Sequence, residues 1–154
     1  MKTLIIIPTY NEIENIKDLV SEIFQNVDTQ THVLVIDDNS PDGTGDLVDV
    51  MAEGNPRVHV IHRPKKLGLG TAYVTGFRYA LENGYDVIFE MDSDFSHDPK
   101  YLPVFQQEIE KCDAVVGSRY VPGGGVVNWG LGRKALSRGG RIYAKVMLGL
   151  PLHD

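Results

Sequence analysis

Short apolar runs alternate with segments of helical periodicity along the chain. Five runs rich in β-branched residues are predicted as strands: Thr3–Ile7, His32–Ile36, Arg57–Ile61, Val87–Met91 and Ala114–Gly117. The segments between and after them are predicted as helices: residues 16–27, 46–52, 70–83, 98–111 and from 133 onward. Strands that alternate with helices are typical of an α/β fold with a mostly parallel central sheet.

Polar residues mark the starts of two of these helices. Asn11, with Glu14 three residues later, resembles a capping arrangement before the first helix. Asp98 and Pro99 are predicted to be the cap and the first residue of a helix that ends at Lys111. Each of these helices is therefore expected to begin in the loop that follows a strand.

The most polar and glycine-rich segments follow directly after the predicted strands. They are Pro8–Glu12, Asp37–Gly43, Arg63–Gly70, Asp92–Asp94 and Gly117–Tyr120. In open α/β sheets, ligands bind at the carboxyl ends of the strands. The five segments are therefore predicted to surround one binding site.

Asp92 and Asp94 are the sharpest candidates for metal binding. Residues two positions apart in an extended segment point to the same side, so both carboxylates can face one site. Mg²⁺ prefers oxygen ligands and often combines one or two carboxylates with substrate phosphates. The pair therefore predicts a divalent cation that holds a diphosphate.

Asp37 and Asp38 end the second predicted strand and cannot both face the same side of it. One is expected to cap the following turn through backbone N–H groups. The other is expected to reach a nucleotide, although a purely structural role for the whole cluster stays open.

The segment Lys65–Tyr73 contains a glycine pattern that resembles a dinucleotide-binding loop. Tyr73 stands where the third glycine would be, and the loop follows the third strand rather than the first, so we reject that interpretation. The segment is predicted instead as a loop that enters a helix, with Lys65 and Lys66 either near an anionic ligand or in solvent.

The composition fits one soluble globular domain over residues 1–154. The chain is 42% hydrophobic and 23% charged, and no apolar stretch approaches the roughly 20 residues that span a bilayer. The lone cysteine, Cys112, makes no internal disulfide and is expected to be buried. A reducing, cytoplasmic compartment fits this cysteine usage.

The net charge of −6 is unevenly distributed. Residues 1–115 carry 9 Lys and Arg against 20 Asp and Glu, a net −11, whereas residues 116–154 carry 6 against 1, a net +5. A largely acidic protein repels polyanions, which argues against a nucleic-acid partner. The acidic part suits a cation, and the basic part suits a phosphate or an anionic membrane surface.

Basic residues in the last third of the chain are candidates for anion binding. Arg119 and Arg133 are predicted to hold phosphate, because a guanidinium group binds phosphate oxygens in pairs. Four further residues share one helical stripe, which either lies on anionic lipid or faces solvent: Lys134, Arg138, Arg141 and Lys145.

Five motifs occur in order: Pro8–Glu12, Asp37–Thr44, Lys66–Tyr73, Asp92–His97 and Gly117–Tyr120. Together they closely resemble the dolichol-phosphate (polyprenol-phosphate) mannose synthases of the inverting glycosyltransferase family 2, over essentially the whole chain. The resemblance implies a GT-A (Rossmann-like) fold, GDP-mannose as donor, Mg²⁺ or Mn²⁺ as cofactor, and a polyprenyl phosphate acceptor. It also implies peripheral contact with a membrane surface, at the cytoplasmic face.

The resemblance assigns roles residue by residue. The nucleotide site would be lined by Pro8, Tyr10, Glu12, Ile36 and Asp38. Asp92 and Asp94 would hold the metal and the diphosphate, with Ser93 close to the donor. Arg119 and Arg133 would bind the acceptor phosphate or the donor diphosphate, which makes Asp94 and Arg119 the catalytic candidates. Ser96 stands where some relatives place a glutamine as a further metal ligand.

The implied reaction is a single displacement at the anomeric carbon with inversion. The acceptor phosphate is already ionised near neutrality, because its second pKa is about 6, so no general base is needed. Two alternatives stay open, namely another donor such as UDP-glucose and a nucleotide-binding module without activity. The family pattern continues through a motif whose first residue matches Asp154, so we expect a fragment of a longer protein.

Overall fold

The computed structural model describes residues 1–118. Its strands are β1 (Thr3–Thr9), β2 (Thr31–Asp37), β3 (Val58–His62) and β4 (Val87–Glu90). Its helices are α1 (Ile16–Asn26), α2 (Thr44–Gly54), α3 (Leu69–Glu82) and α4 (Leu102–Glu108). Two short 3₁₀ helices, Pro99–Tyr101 and Ile109–Lys111, flank α4.

The four strands form one parallel sheet in the order β3-β2-β1-β4. β1 is therefore central, and its last residues lie beside the ends of β2 and β4. The register pairs Pro8 with Ile36 on one side and Ile6 with Glu90 on the other. This arrangement confirms the predicted α/β architecture with a mostly parallel sheet.

The two faces of the sheet are both buried, which explains why β1 and β2 are continuous apolar runs rather than alternating ones. Successive side chains point to opposite faces. One face packs with α1 and α2 around Ile5, Ile7 and Val35, and the other packs with α3 around Leu4 and Ile6.

Helix α3 approaches β1 closely at Gly76. A Cβ atom placed on Gly76 would lie 2.6 Å from Cδ1 and 2.7 Å from Cγ2 of Ile6, which is completely buried. Glycine is therefore required for this distance between helix and sheet, and the start of α3 is held near the end of β1.

The predicted cap of α1 is wrong. The helix begins at Ile16, and Asn15 precedes it without a side-chain cap. Asn11 instead has a φ of 62° in a tight turn, and the carbonyl oxygen of Glu12 accepts from the N–H groups of Asn15 and Ile16. The chain therefore makes an extra loop between β1 and α1, which brings Tyr10 and Glu12 to the sheet edge.

Asp98 caps its helix as predicted, because its carboxylate accepts from the N–H of Lys100 at 3.0 Å and Pro99 follows it. The predicted strand Ala114–Gly117 is wrong, since this segment pairs with no strand among residues 1–118 and is mostly exposed. Cys112 is exposed rather than buried.

The chain divides into two compact units after Val104, and the site described below belongs to the first. One domain over residues 1–154 stays a prediction. No helix among residues 1–118 combines the length and the apolar character needed to cross a membrane. The expectations for Arg119, Arg133 and the basic stripe lie outside the described residues.

Candidate functional site

A cleft of about 320 Å³ opens at the carboxyl ends of β1 and β4, beside the start of α3. Eight residues line it: Pro8, Tyr10, Glu12, Lys66, Leu69, Asp92, Ser93 and Asp94. The structure thus brings together the two carboxylates that were predicted from their spacing and three residues at or just after the end of β1 that were assigned by resemblance, namely Pro8, Tyr10 and Glu12. Lys66, whose role was left open, also lies in the cleft.

The β1 side of the cleft carries an aromatic ring and a carboxylate. The ammonium group of Lys66 lies 4.0 Å from the centre of the Tyr10 ring, within the range of a cation–π contact. The Glu12 carboxylate accepts from the side-chain amide of Asn15 at 3.1 Å. This side can therefore offer a ring face, a carboxylate and a nearby positive charge.

Asp92 is held from two directions. Its Oδ1 accepts from the Tyr73 hydroxyl at 3.2 Å. Burial raises the pKa of Tyr73, and the nearby charge of Asp92 raises it further, so the hydroxyl keeps its proton and donates. The backbone N–H of Asp92 donates to Nδ1 of His97 at 3.1 Å. Nε2 of the same ring lies 4.0 Å from Oδ2 of Asp92.

Asp94 is held by its own turn. Its Oδ1 accepts from the N–H of Ser96 at 2.9 Å. Hydrogen bonds from the Ser96 side chain and backbone lower the pKa of Asp94, which keeps the carboxylate ionised. Phe95 between them has a φ of 59°, a left-handed conformation that a bulky residue rarely adopts. The turn thus holds Asp94 at the cleft.

The donor set of Asp92 and Asp94 fits a hard divalent cation. Both side chains line the cleft, and both supply carboxylate oxygens. Within residues 1–118, no three His, Cys, Asp or Glu side chains are grouped so that they could hold a metal ion by themselves. Two carboxylates would leave room for phosphate oxygens from a substrate, and a metal at this pair stays a prediction.

Asp37 has the capping role that was predicted for one of the two adjacent aspartates. Its carboxylate accepts from the N–H of Ser40 at 3.0 Å and from its hydroxyl at 2.5 Å. It also accepts from the hydroxyl of Thr9 at 3.1 Å. Asp37 therefore closes the turn after β2 and ties it to the end of β1.

Asp38 is not among the residues that line the cleft. Its carboxylate forms a buried ion pair with Nε of Arg63 and accepts from the N–H of Leu67 at 3.2 Å. Arg63 also donates to the Thr71 hydroxyl at 2.7 Å and to the Gly68 carbonyl at 3.2 Å. The pair thus holds the loop that carries Lys66.

Ile36 is completely buried in the cluster under α3. It lies outside the cleft lining, as Asp38 does. The assignment of these two residues to a nucleotide stays a prediction.

Three features of the site were not predicted from the sequence: the hydrogen bond from Tyr73 to Asp92, the place of Leu69 in the cleft, and the ion pair between Arg63 and Asp38. Arg63 directly follows β3 and Asp38 directly follows β2, and the register pairs Asp37 with His62. Because β2 and β3 are neighbours in the sheet, the residues that follow them lie close together, and the strand order would have suggested this ion pair. Tyr73 gave no local signal, because its reach to Asp92 depends on how α3 packs.

Residues 4–154 match the sequence profile described as Glycosyl transferase family 2. An undecaprenyl-phosphate mannosyltransferase of Micrococcus luteus is 51% identical over 100% of this chain and 63% of the relative. A polyprenol monophosphomannose synthase of Mycolicibacterium smegmatis is 48% identical over 99% of this chain and 58% of the relative. The chain thus spans less than two thirds of the length of these relatives.

One solved structure is similar in fold and is 27% identical. It is the mannosyltransferase PcManGT from Pyrobaculum calidifontis in complex with GDP-Man and Mn²⁺, with a TM-score of 0.54 over 60% of this chain and 27% of that one. Together with the family match, this likeness confirms the GT-A type of fold that the resemblance implied.

Proposed function

The chain belongs to glycosyl transferase family 2, and on this premise we propose that it is the donor-binding part of an enzyme that transfers mannose from GDP-mannose to a polyprenyl phosphate. The names of the two relatives and the GDP-Man in the similar structure support this donor and this acceptor. The observation that carries the proposal is the cleft shared by Asp92, Asp94, Tyr10 and Glu12.

The two sides of the cleft suit the nucleoside and the diphosphate of a nucleotide sugar. Tyr10 offers a ring face and Glu12 a carboxylate, which suit a base and the hydroxyls of a ribose. Lys66 adds a positive charge that would attract the diphosphate. Asp92 and Asp94 then lie where they could hold a cation, and that cation would offset the charge of the diphosphate.

Asp92 and Asp94 would hold Mg²⁺ or Mn²⁺ together with the donor diphosphate. When bound, the cation would neutralise the negative charge that gathers on the leaving diphosphate, as a Lewis acid. Tyr73 would keep the Asp92 carboxylate oriented through its hydrogen bond, and Ser96 would do the same for Asp94. The metal dependence of the reaction is part of this proposal.

The transfer would be a single displacement with inversion. An oxygen of the acceptor phosphate would bond to the anomeric carbon while the bond from that carbon to the diphosphate breaks. The leaving nucleoside diphosphate would take the bonding electrons. The acceptor oxygen is already deprotonated near neutrality, so no residue of the cleft has to remove a proton. Arg119 and Arg133 are proposed to bind the phosphate groups.

An aspartate substitution tests the proposal. We expect Asp94→Asn to weaken the binding of GDP-mannose in the presence of Mg²⁺ by at least about tenfold and to abolish transfer to a short polyprenyl phosphate, because a charged partner is lost. Asp18→Asn, an exposed position in the first turn of α1, is the matched control and should change neither. Calorimetry and detection of the mannosyl lipid supply the two readouts.

The same measurements separate the rival functions. Tighter binding of UDP-glucose than of GDP-mannose would overturn the choice of donor. Binding of GDP-mannose without any mannosyl lipid would favour a nucleotide-binding module. Full activity of Asp94→Asn would overturn the metal site.

The proposed acceptor is a lipid, so the enzyme would work at a membrane surface. We propose the cytoplasmic face, because a nucleotide sugar and a lone free cysteine both suit that compartment. Cosedimentation of the protein with anionic vesicles tests the membrane contact, and no binding at low salt would count against it.

A further inference from the structure

The loop between β1 and α1 is held by three side chains from the turn after β2. The backbone N–H of Asn11 donates to Oγ of Ser40 at 3.0 Å. The next N–H, that of Glu12, donates to Oγ1 of Thr44 at 3.0 Å. The third, that of Ile13, donates to Oδ2 of Asp42 at 3.1 Å. Three successive backbone donors are thus bound by side chains that lie about 30 residues away in sequence.

The hydroxyl groups in this network are themselves oriented by carboxylates. Thr44 donates its hydroxyl proton to Oδ1 of Asp42 at 2.6 Å, and Ser40 donates to Oδ1 of Asp37 at 2.5 Å. Each hydroxyl proton is committed to a carboxylate, so the oxygen can only accept from the loop. The direction of every hydrogen bond in the network is therefore fixed.

Of these three side chains, only that of Asp42 also bonds the helix that follows, by accepting from the N–H of Thr44 at 3.0 Å. Helix α2 begins at Thr44 after Gly43, and its start has no side-chain cap. Ser, Thr and Asp in such positions commonly satisfy the free N–H groups of their own helix. Here Ser40 and Thr44 accept from the β1 loop instead, and Asp42 divides its two oxygens between Thr44 and that loop.

The loop that is held in this way carries two of the residues that line the cleft. Tyr10 and Glu12 are cleft residues, whereas Ser40, Asp42 and Thr44 are not. We propose that Ser40, Asp42 and Thr44 are positioning residues, which set the affinity for the nucleotide by holding the Tyr10–Ile13 loop and never touch the ligand. This inference rests on the proposed function, because it assigns the nucleotide to this side of the cleft.

Thr44 gives the sharpest test, because its side chain is completely buried and Val has nearly the same shape. Thr44→Val removes the hydroxyl and leaves the Glu12 N–H without its acceptor, whereas Thr44→Ser keeps the hydroxyl. We expect Thr44→Val to raise the Kd for GDP with Mg²⁺ by about fivefold to twentyfold, as the loss of one hydrogen bond predicts. Thr44→Ser should restore the affinity to within about twofold.

Two matched controls lie away from the cleft. Thr75→Val removes a hydroxyl that only bonds the Thr71 carbonyl within α3. Asp28→Asn changes a carboxylate that accepts from the N–H of Gln30 and the hydroxyl of Thr31, before β2. The test variant that matches Asp28→Asn is Asp42→Asn, which changes a carboxylate after β2 rather than before it. The controls should leave the Kd unchanged, whereas Asp42→Asn should raise it.

Hydrogen exchange of the backbone amides provides a readout that does not depend on the ligand. In the wild-type chain the amides of Asn11, Glu12 and Ile13 should be protected, and Thr44→Val should speed exchange at these amides while those of Ile5 and Val33 in the sheet keep their protection. A thermal unfolding curve shows that each variant is folded.

The outcomes of these experiments are distinct. A wild-type chain that binds neither GDP nor UDP overturns the proposed function. A wild-type chain that binds GDP, with an unchanged Kd in Thr44→Val despite faster exchange of the loop, overturns only the positioning role. An equal loss of affinity in Thr44→Val and Thr44→Ser would also overturn it, because the hydroxyl would then not be the cause.

Discussion

Asp38 and Arg63 place opposite charges in the interior between the ends of β2 and β3. Their side chains are 9% and 6% exposed, respectively, and Arg63 reaches two further acceptors in the loop that follows. A buried pair costs free energy to desolvate, so its net contribution to stability is small, but a single unpaired charge in the same place is costly. The pair therefore has more value for placing the Lys66 loop than for stabilising the fold.

A double-mutant cycle tests this view of the pair. Arg63→Met should lower the free energy of unfolding by about 3–5 kcal/mol, because the Asp38 carboxylate stays buried without its partner. Adding Asp38→Asn to Arg63→Met should recover part of this loss, since the unpaired charge is removed. Urea denaturation compares Arg63→Met, Asp38→Asn and the double variant with the wild type. If the double variant lost as much stability as the two single variants together, the argument would be contradicted.

At the scale of residues, the sequence was most informative where the chemistry is local. The short spacing of Asp92 and Asp94 after β4 was enough to predict that both would lie at one site, and both line the cleft. Tyr73 and Arg63 escaped prediction, because each acts on a residue that a distant element supplies. Asp38 shows the same limit, since the sequence marks it as important without indicating which partner it binds.

At the scale of elements, β1, β2 and the first three helices could be predicted from the apolar positions. A strand that is buried on both faces is a continuous apolar run, and a helix that is buried on one face has apolar residues every three or four positions. The cap of α1 was misplaced although its first residue was not, since Asn11 has a capping side chain but its backbone N–H is bound in a turn by Ser40. The strand predicted at Ala114–Gly117 failed for a related reason, because an apolar run forms a strand only where a neighbour pairs with it.

The packing of α3 on β1 yields a prediction with an internal control. Gly76→Ala should lower the free energy of unfolding by about 1–3 kcal/mol, because its Cβ would overlap the buried side chain of Ile6. Gly70→Ala in the same helix meets nothing within 4 Å and should be neutral or slightly stabilising, since Ala favours a helix. Denaturant titration of both variants checks this, and equal stability of the two would contradict the close approach.

Two histidines pack together on neighbouring strands under the end of α3. Nδ1 of His32 lies 2.9 Å from Nε2 of His59, and their rings are stacked with centres 5.2 Å apart. Burial lowers the pKa of both, and the charges of Lys2 and Arg57 lower that of His32 further. His59 also lies near Tyr79 and Tyr85, so two aromatic rings flank the half-buried pair.

This pair should make the fold sensitive to acid. Because the folded state holds these two sites less protonated than the unfolded chain does, the unfolded chain binds more protons as the pH falls through about 6.5. The free energy of unfolding should therefore decrease as the pH is lowered from 7 to 5. His59→Phe keeps the ring and should flatten this slope, which urea titrations at several pH values can measure. An unchanged slope in His59→Phe would rule out the pair as its source.

At the scale of the whole molecule, the distribution of charge sets a condition on ligand binding. Residues 1–115 carry a net charge of −11, and the cleft itself contains the carboxylates of Glu12, Asp92 and Asp94 against the ammonium group of Lys66. A nucleoside diphosphate is also an anion, so the field of this part of the chain opposes its entry. A divalent cation at Asp92 and Asp94 would cancel the net negative charge of these four side chains and so remove the local repulsion.

Nucleotide and cation should therefore stabilise the protein only in combination. Ligand that binds the folded state at 100 times its Kd adds about 2.7 kcal/mol to the free energy of unfolding. For a domain of this size, that corresponds to a rise in Tm on the order of 10 °C. GDP with Mg²⁺ or Mn²⁺ should produce such a rise, whereas GDP with a chelator or the cation alone should produce much less. Asp94→Asn should lose the rise and Asp18→Asn should keep it.

A full rise with GDP in the presence of chelator would contradict this prediction. The carboxylates of the cleft would then tolerate the diphosphate without a cation, and Asp92 and Asp94 would need another role.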